Sequence, residues 1–167
     1  MIEELVYVTH SPEETMALGR ALGCLLQGGE LLALEGDLGA GKTHFIKGLA
    51  EGLEVTETVT SPTFGLIHEY RGRVPLAHFD VYRLDSPAEL ENLGYEEYFF
   101  GAGVTAVEWS DQIRDYLPEE CLKICFTVLG SQERQIRFTA AGAAFRDLLA
   151  ELEKAFGALP VSQREHP

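Results

Sequence analysis

The chain has 167 residues, the size of one domain, and 46% of them are hydrophobic, so it can bury a core of its own. Its 27 acidic residues against 13 lysines and arginines give a formal net charge of −14. Such a charge argues against the broad basic surface with which proteins bind DNA or anionic membranes. Since neither a membrane-spanning apolar stretch nor a signal peptide is evident, the sequence predicts a soluble cytoplasmic protein.

The three cysteines, Cys24, Cys121 and Cys125, are odd in number and lack the C-x-x-C spacing of metal sites. They favour neither a disulfide framework nor a zinc site. We expect buried thiols in a reducing compartment.

The first half of the chain predicts strands alternating with helices. A strand over residues 4–9 precedes a helix that Ser11 caps, with Pro12 in its first turn, and that ends near residue 27. A buried strand follows over residues 31–34, and apolar residues at helical spacing then predict a second helix.

The second half predicts two hairpins, a strand between them and a closing helix. The first hairpin lies within residues 64–84, and the second within residues 121–140. Between them, Ser86 caps a short helix, and residues 103–109 form an apolar strand. A helix follows Gly142. We therefore expect one α/β domain over residues 1–156, with a mixed parallel and antiparallel sheet flanked by helices, and a flexible tail over residues 157–167.

The most specific motif lies between the second strand and its helix. Residues 36–43 read GDLGAGKT, which satisfies the phosphate-binding loop (P-loop) pattern G-x-x-x-x-G-K-[ST]. Its glycines let backbone N–H groups surround an anion, and the helix adds the positive end of its dipole. Lys42 is expected to reach the outer phosphates, and the Thr43 hydroxyl to bind Mg²⁺.

The other loop residues are predicted to take part in nucleotide binding: Asp37, Leu38, Gly39, Ala40 and Gly41. The carboxylate of Asp37 is expected to face outward, because a negative charge beside the phosphates would cost free energy. A glycine-rich strand-to-helix turn without a ligand is the alternative interpretation of this motif.

Two acids follow apolar strands: Asp80 ends LAHFD, and Glu108 ends VTAVE. Phosphoryl transfer at a P-loop needs a second acid near Mg²⁺, usually at the carboxyl end of a neighbouring strand. Ligands bind at that edge of such a sheet, so we expect at least one of the two to serve the metal. Periodicity alone leaves open which one, and either could be an ordinary strand-end carboxylate.

Four blocks, GDLGAGKT, TSPTF, HFDVYRL and VEWSD, resemble in order and spacing the TsaE (YjeE) family of bacterial P-loop ATPases, over about residues 5–140. The resemblance implies a P-loop NTPase-like fold and Mg²⁺-dependent ATP hydrolysis that supports formation of N6-threonylcarbamoyladenosine (t6A) in tRNA. It implies the TsaB–TsaD heterodimer as partner, in which TsaD transfers the threonylcarbamoyl group. The acidic chain would then reach tRNA only through these partners.

The resemblance also implies roles for single residues. By it, Thr43 and Glu108 hold Mg²⁺, Lys42 binds the phosphates, and Asp80 is needed for hydrolysis. Thr60 would belong to a switch-like loop over residues 60–64 that senses the γ-phosphate.

The resemblance further implies that the adenine lies between two segments. One is the N-terminal segment around Thr9 and Ser11, and the other is the tip of the second hairpin, with Gly130 and Gln132. Trp109 would pack near the site. One departure from the family is His44, where many relatives have threonine; we expect it to point elsewhere on the helix.

Two other classes of P-loop protein are alternatives to an ATPase. A P-loop small-molecule kinase would need an arginine-rich lid, whereas Arg71, Arg73 and Arg83 instead flank the first hairpin. A GTP-driven switch would need an [NT]-K-x-D motif, and no lysine of the chain has an aspartate two residues on.

Overall fold

The computed structural model describes residues 2–37, 39–59, 67–82 and 84–156. Their strands are β1 (Glu4–Thr9), β2 (Leu31–Glu35), β3 (Ile67–Tyr70), β4 (Leu76–Asp80), β5 (Val104–Glu108), β6 (Cys121–Val128) and β7 (Arg134–Ala141). Their α-helices are α1 (Pro12–Leu25), α2 (Lys42–Gly52), α3 (Tyr95–Phe99) and α4 (Ala143–Phe156). Two 3-10 helices cover Pro87–Leu93 and Ser110–Tyr116.

The strands form one sheet in the order β1-β7-β6-β2-β5-β4-β3. At its centre β2 lies parallel to both β6 and β5, and β5 lies parallel to β4. The remaining pairs, β1 with β7, β6 with β7 and β3 with β4, are antiparallel. The mixed α/β fold predicted from the sequence is therefore confirmed, and the carboxyl ends of β2, β5 and β4 lie side by side.

Strands β2, β4 and β5 are largely apolar because helices cover both faces of the sheet. Nearly every residue of β2, β4 and β5 is buried, as is usual for parallel strands. On one face α1, α2 and α4 bury a core that includes Phe45 and Leu149. On the other face, α3 and the two 3-10 helices, with Leu90 and Ile113, bury a second core that includes Phe79 of β4.

Most predicted elements are confirmed, with differences at their ends. Ser11 caps α1, since its Oγ accepts the N–H of Glu14 at 3.1 Å, but the helix ends at Leu25 rather than near residue 27. Ser86 caps a 3-10 helix through a capping box. The described chain contains no helix with the length and apolar character to cross a membrane. The expected tail, residues 157–167, lies outside the described residues.

All three cysteines are free thiols, as the sequence predicts. Cys121 is buried and Cys125 is half-buried, but Cys24 is exposed, so the prediction of buried thiols is wrong for Cys24. It lies on α1, which presents one face to solvent.

Helices α1 and α2 pack at very short range because small residues face each other. The contact contains Gly19, Gly23, Gly48 and Gly52. A Cβ atom at Gly48 would lie 1.9 Å from the carbonyl oxygen of Met16, and one at Gly19 would lie 2.2 Å from that of Phe45. This contact holds the start of α1 beside the loop that precedes α2.

We predict that Gly48→Ala destabilises the fold by at least about 2 kcal/mol, because a methyl group there must push two helix backbones apart. Alanine has a better helix propensity than glycine, which alone would stabilise the helix by about 1 kcal/mol. The steric clash acts against this gain and outweighs it. Urea unfolding measures the effect. Gly130→Ala is the control, since its Cβ would meet only the flexible side chain of Glu133, at 3.4 Å. Equal stability of Gly48→Ala and the wild type would contradict the close helix contact.

Candidate functional site

The P-loop motif has the strand-to-helix context that its chemistry requires. It begins after β2 and ends in the first turn of α2. Gly39 and Gly41 have φ angles of 76° and 99°, a region that glycine enters without steric cost. Gly41 is the N-cap of α2, so no capping side chain blocks the first N–H groups of the helix. This geometry suits an anion at the helix N-terminus.

A cavity of about 380 Å³ lies at the carboxyl edge of the central strands. Three parts of the chain line it. The P-loop and α2 contribute Gly39, Ala40, Gly41, Lys42, Thr43 and His44. The strand ends contribute Asp80, Glu108 and Trp109, while α1 and the β6–β7 hairpin contribute Pro12, Thr15, Ser131, Gln132 and Arg134.

The structure brings most of the predicted site residues to this cavity. Ser11 and Gly130 are not among the lining residues, whereas their neighbours Pro12 and Ser131 are. Asp37, also predicted to take part in nucleotide binding, is exposed and is not among the lining residues either. The predicted residues Leu38 and Thr60, with the rest of the switch-like loop, lie outside the described residues.

His44 is exposed, and it is among the residues that line the cavity with Thr43 and the rest of the P-loop. It lies in the first turn of α2, directly after Thr43. The expectation that its side chain points elsewhere on the helix stays a prediction.

The two strand-end acids are direct neighbours. Asp80 and Glu108 are paired residues of the parallel strands β4 and β5, and Glu108 also pairs with Leu34 of β2. Glu108 is buried and Asp80 is half-buried. Burial raises the pKa of Asp80, the N–H of Tyr82 that bonds to its Oδ1 opposes this rise, and the nearby Glu108 adds to it.

Lys42 lies almost fully buried between the P-loop and an aromatic ring. Its Nζ donates to the carbonyl oxygen of Gly36 and lies 3.5 Å from the ring centroid of Trp109, a cation–π contact. Burial lowers the pKa of Lys42, and the carboxylates of Glu108 and Asp80 oppose this shift. Trp109 thus packs beside the site, as the family resemblance implied.

The backbone of Trp109 is unusual. Its φ of 62° lies in the left-handed region, which is uncommon for a residue other than glycine. This turn directs the chain away from β5 after Glu108. The Trp109 ring lies against that of Tyr82, with a centroid distance of 4.7 Å and an angle of 39° between the ring planes. Ser110 then donates to the carbonyl oxygen of Leu34 and fixes the turn against β2. Strained backbone of this kind is often found at functional sites.

Sequence reasoning missed His78. It is fully buried in β4, and its Nε2 lies 2.6 Å from Oε2 of Glu108. The available signal was the alternation in LAHFD, which places His78 on the same face of the strand as Asp80.

It also missed the contact that Arg134 makes with the P-loop. The guanidinium group of Arg134 donates to the carbonyl oxygens of Gly39 and Gly130, both at 3.0 Å. The tip of the β6–β7 hairpin is therefore tied to the P-loop. On the other side, a buried hydrogen bond of 2.7 Å between Thr9 and Thr15 fixes the start of α1.

The oxygen atoms that Thr43 and Glu108 offer at the cavity are suitable ligands for Mg²⁺. Among the described residues there is no group of three or more His, Cys, Asp or Glu side chains that could hold a metal. Mg²⁺ at a nucleotide site does not need one, because it binds one or two carboxylates together with phosphate oxygens and water. Thr43, which has a hydroxyl oxygen, and Glu108, which has a carboxylate, both line the cavity, and Asp80 lies beside Glu108.

We predict that Asp80→Asn is more stable than the wild type at neutral pH. The raised pKa means that the ionised carboxylate opposes folding above this pKa, and this penalty vanishes as the pH falls below the unfolded value. Asparagine keeps an oxygen that can accept the N–H of Tyr82. Melting temperatures over about pH 4 to 7 measure the difference, with the exposed Glu153→Gln as control. A mutant that is less stable at neutral pH would contradict the prediction.

Comparisons with known proteins agree with this geometry. The family model "Threonylcarbamoyl adenosine biosynthesis protein TsaE" matches residues 9–136. Over 154 residues the chain is 47% identical to the tRNA threonylcarbamoyladenosine biosynthesis protein TsaE of Bacillus subtilis, covering 92% of this chain and 96% of that protein. The protein of the same name from Treponema pallidum is 43% identical over 129 residues, covering 77% of this chain and 96% of that protein.

A solved structure is similar over nearly the whole fold. It is the crystal structure of Bacillus subtilis YdiB, with a TM-score of 0.81 and 44% sequence identity. The match covers 92% of this chain and 97% of that chain. With its P-loop and two strand-end carboxylates around one cavity, the chain belongs to the TsaE family.

Proposed function

We propose that this protein is a Mg²⁺-dependent ATPase that acts in the biosynthesis of t6A in tRNA. The relatives that cover most of its length are named for that biosynthesis. One observation supports ATP hydrolysis in particular: the P-loop, Asp80 and Glu108 line the same cavity. A phosphate-binding loop beside two carboxylates is the arrangement that phosphoryl transfer requires.

Positive charge within the cavity favours ATP binding, although the protein as a whole is acidic. The net charge of −14 repels polyphosphates at long range, but the cavity contains the cationic side chains of Lys42 and Arg134. The N-terminus of α2 adds backbone donors. To contact a phosphate, Lys42 would exchange its bond to the carbonyl oxygen of Gly36 for one to a phosphate oxygen, in which donor and acceptor are both charged. We expect ATP and not GTP as the nucleotide, since the sequence lacks the [NT]-K-x-D motif with which GTP-driven switches recognise guanine.

We assign different tasks to the two acids. Thr43 and Glu108 would hold Mg²⁺, which, when bound, supplies positive charge to the phosphate oxygens. Asp80 would orient the attacking water and accept its proton. The rise of its pKa through burial is in the direction that strengthens a carboxylate as a base.

The partners we propose are TsaD and TsaB, the threonylcarbamoyl transferase pair that the family resemblance implies. Direct tRNA binding is disfavoured, since phosphate recognition needs clusters of lysine and arginine, and the chain has 13 against 27 acids. An acidic ATPase would leave the RNA to its partners and act on them through protein contacts.

Phosphate release from ATP and from GTP, with and without Mg²⁺ and the TsaB–TsaD pair, tests this function. We predict that Lys42→Ala binds ATP at least about 10-fold more weakly, since a charge-assisted hydrogen bond is lost. Lys47→Ala is the matched control, because Lys47 lies on the same helix but is not among the residues that line the cavity. Unchanged binding and hydrolysis by folded Lys42→Ala would contradict the P-loop function. Phosphate transfer to a small-molecule acceptor would instead indicate a kinase.

Asp80→Asn separates catalysis from binding. We predict that it retains ATP affinity but hydrolyses about 100-fold more slowly, the scale expected for losing a general acid–base group. Turnover is measured with saturating Mg²⁺ and the partner pair. Wild-type turnover in this variant would remove Asp80 from the catalytic residues.

A further inference from the structure

His78 is a buried polar residue at a position where the fold alone would favour an apolar one. It lies within β4, and none of its surface is exposed. Its neighbour across the sheet in β5 is Ala106, which is fully buried as well. Burying an imidazole costs free energy unless it is hydrogen-bonded. The bond that offsets this cost is the one to Glu108.

The geometry of the sheet directs His78 to Glu108 and not to Asp80. Glu108 lies two residues beyond Ala106 on the same face of β5, so it is a diagonal neighbour of His78. The small side chain of Ala106 leaves room for the imidazole to reach it. Asp80 accepts the N–H of Tyr82 within its own turn instead. The two neighbouring carboxylates are thus held by different donors.

We propose that His78 is a positioning residue for Glu108, whose Oε2 it holds through Nε2 so that Oε1 is left to bind Mg²⁺ at the cavity. The inference rests on the proposed function, in which Glu108 is a metal ligand. Carboxylates that bind metals are commonly held by a second hydrogen bond of this kind, and its loss costs about 10- to 100-fold in metal affinity or activity.

The partners of the two ring nitrogens specify the tautomer. An ionised carboxylate can only accept, so the proton of the 2.6 Å bond belongs on Nε2 of His78. Nδ1 is buried and has no hydrogen-bond partner among the described residues. A proton on Nδ1 would therefore be a buried donor without an acceptor, which is costly. A proton on Nε2 and none on Nδ1 satisfies the donor and leaves only an acceptor unpaired.

Two substitutions separate positioning from packing. In His78→Gln the side-chain amide nitrogen can occupy the place of Nε2 and donate to Glu108, whereas in His78→Asn the shorter amide cannot reach it. Calorimetry measures the affinity for a non-hydrolysable ATP analogue in EDTA and in Mg²⁺. His68→Asn, at the position of β3 paired with His78, is the matched control, since His68 Nδ1 lies near Tyr70 Oη.

We expect His78→Asn to keep its affinity in EDTA and to need about 10- to 100-fold more Mg²⁺ for tight binding. His78→Gln should restore most of the wild-type Mg²⁺ dependence, and His68→Asn should leave it unchanged. Equal Mg²⁺ dependence in the wild type, His78→Gln and His78→Asn would overturn the inference. So would a parallel loss of affinity in EDTA and in Mg²⁺, which indicates a purely structural role.

The Mg²⁺ dependence of nucleotide binding by the wild type distinguishes a failure of this inference from a failure of the proposed function. A wild type whose nucleotide binding does not depend on Mg²⁺ would overturn the proposed function and the inference together. A wild type that depends on Mg²⁺, with variants that behave like it, would overturn the inference alone.

If the His78 variants do not fold, a measurement on the wild type still tests the inference. Nitrogen-15 NMR of the wild-type histidines reports which ring nitrogen carries the proton. We expect His78 to be protonated on Nε2 and bare on Nδ1. A neutral ring protonated on Nδ1 could not donate to Glu108 and would overturn the inference.

Discussion

The pairing of Asp80 with Glu108 across two parallel strands is the constraint on which the cavity depends. Because side chains alternate along a strand, a slip of one residue between β4 and β5 would turn one carboxylate away from the P-loop. The pairing of Leu34 with Glu108 fixes the same register against β2, whose end leads directly into the P-loop. The phosphate-binding backbone and both acids thus share one frame of backbone hydrogen bonds.

The electrostatics of the site follow from this frame. Burial lowers the pKa of Lys42, and the several carboxylates close to it oppose this shift. The acids in turn are close enough to repel each other, which contributes to the raised pKa of Asp80. Such a site stores unfavourable free energy. A bound cation would relieve the repulsion between the carboxylates, and phosphates would give the buried Lys42 a charged partner. This explains how an acidic chain can carry a site for a polyanion.

Much of the fold and half of the site could be predicted from the sequence. The P-loop motif has fixed spacing, and apolar runs that end in Asp80 and Glu108 mark strand ends, so local patterns suffice for both. The contacts of His78 and Arg134 could not be predicted, because each joins segments whose register appears only in the folded sheet. The place of His44 among the lining residues could not be predicted either, because the helix pattern gives the direction of a side chain but not the shape of the cavity beside it.

A crystal structure with Mg²⁺ and a non-hydrolysable ATP analogue tests the central claim most directly. The arrangement of β2, β4 and β5 predicts the outer phosphates on the P-loop backbone and Lys42, and the metal on Thr43 and Glu108. In that complex the hydrogen bond between His78 and Glu108 should remain. Phosphates bound away from the P-loop, or a metal bound to neither Thr43 nor Glu108, would contradict the claim.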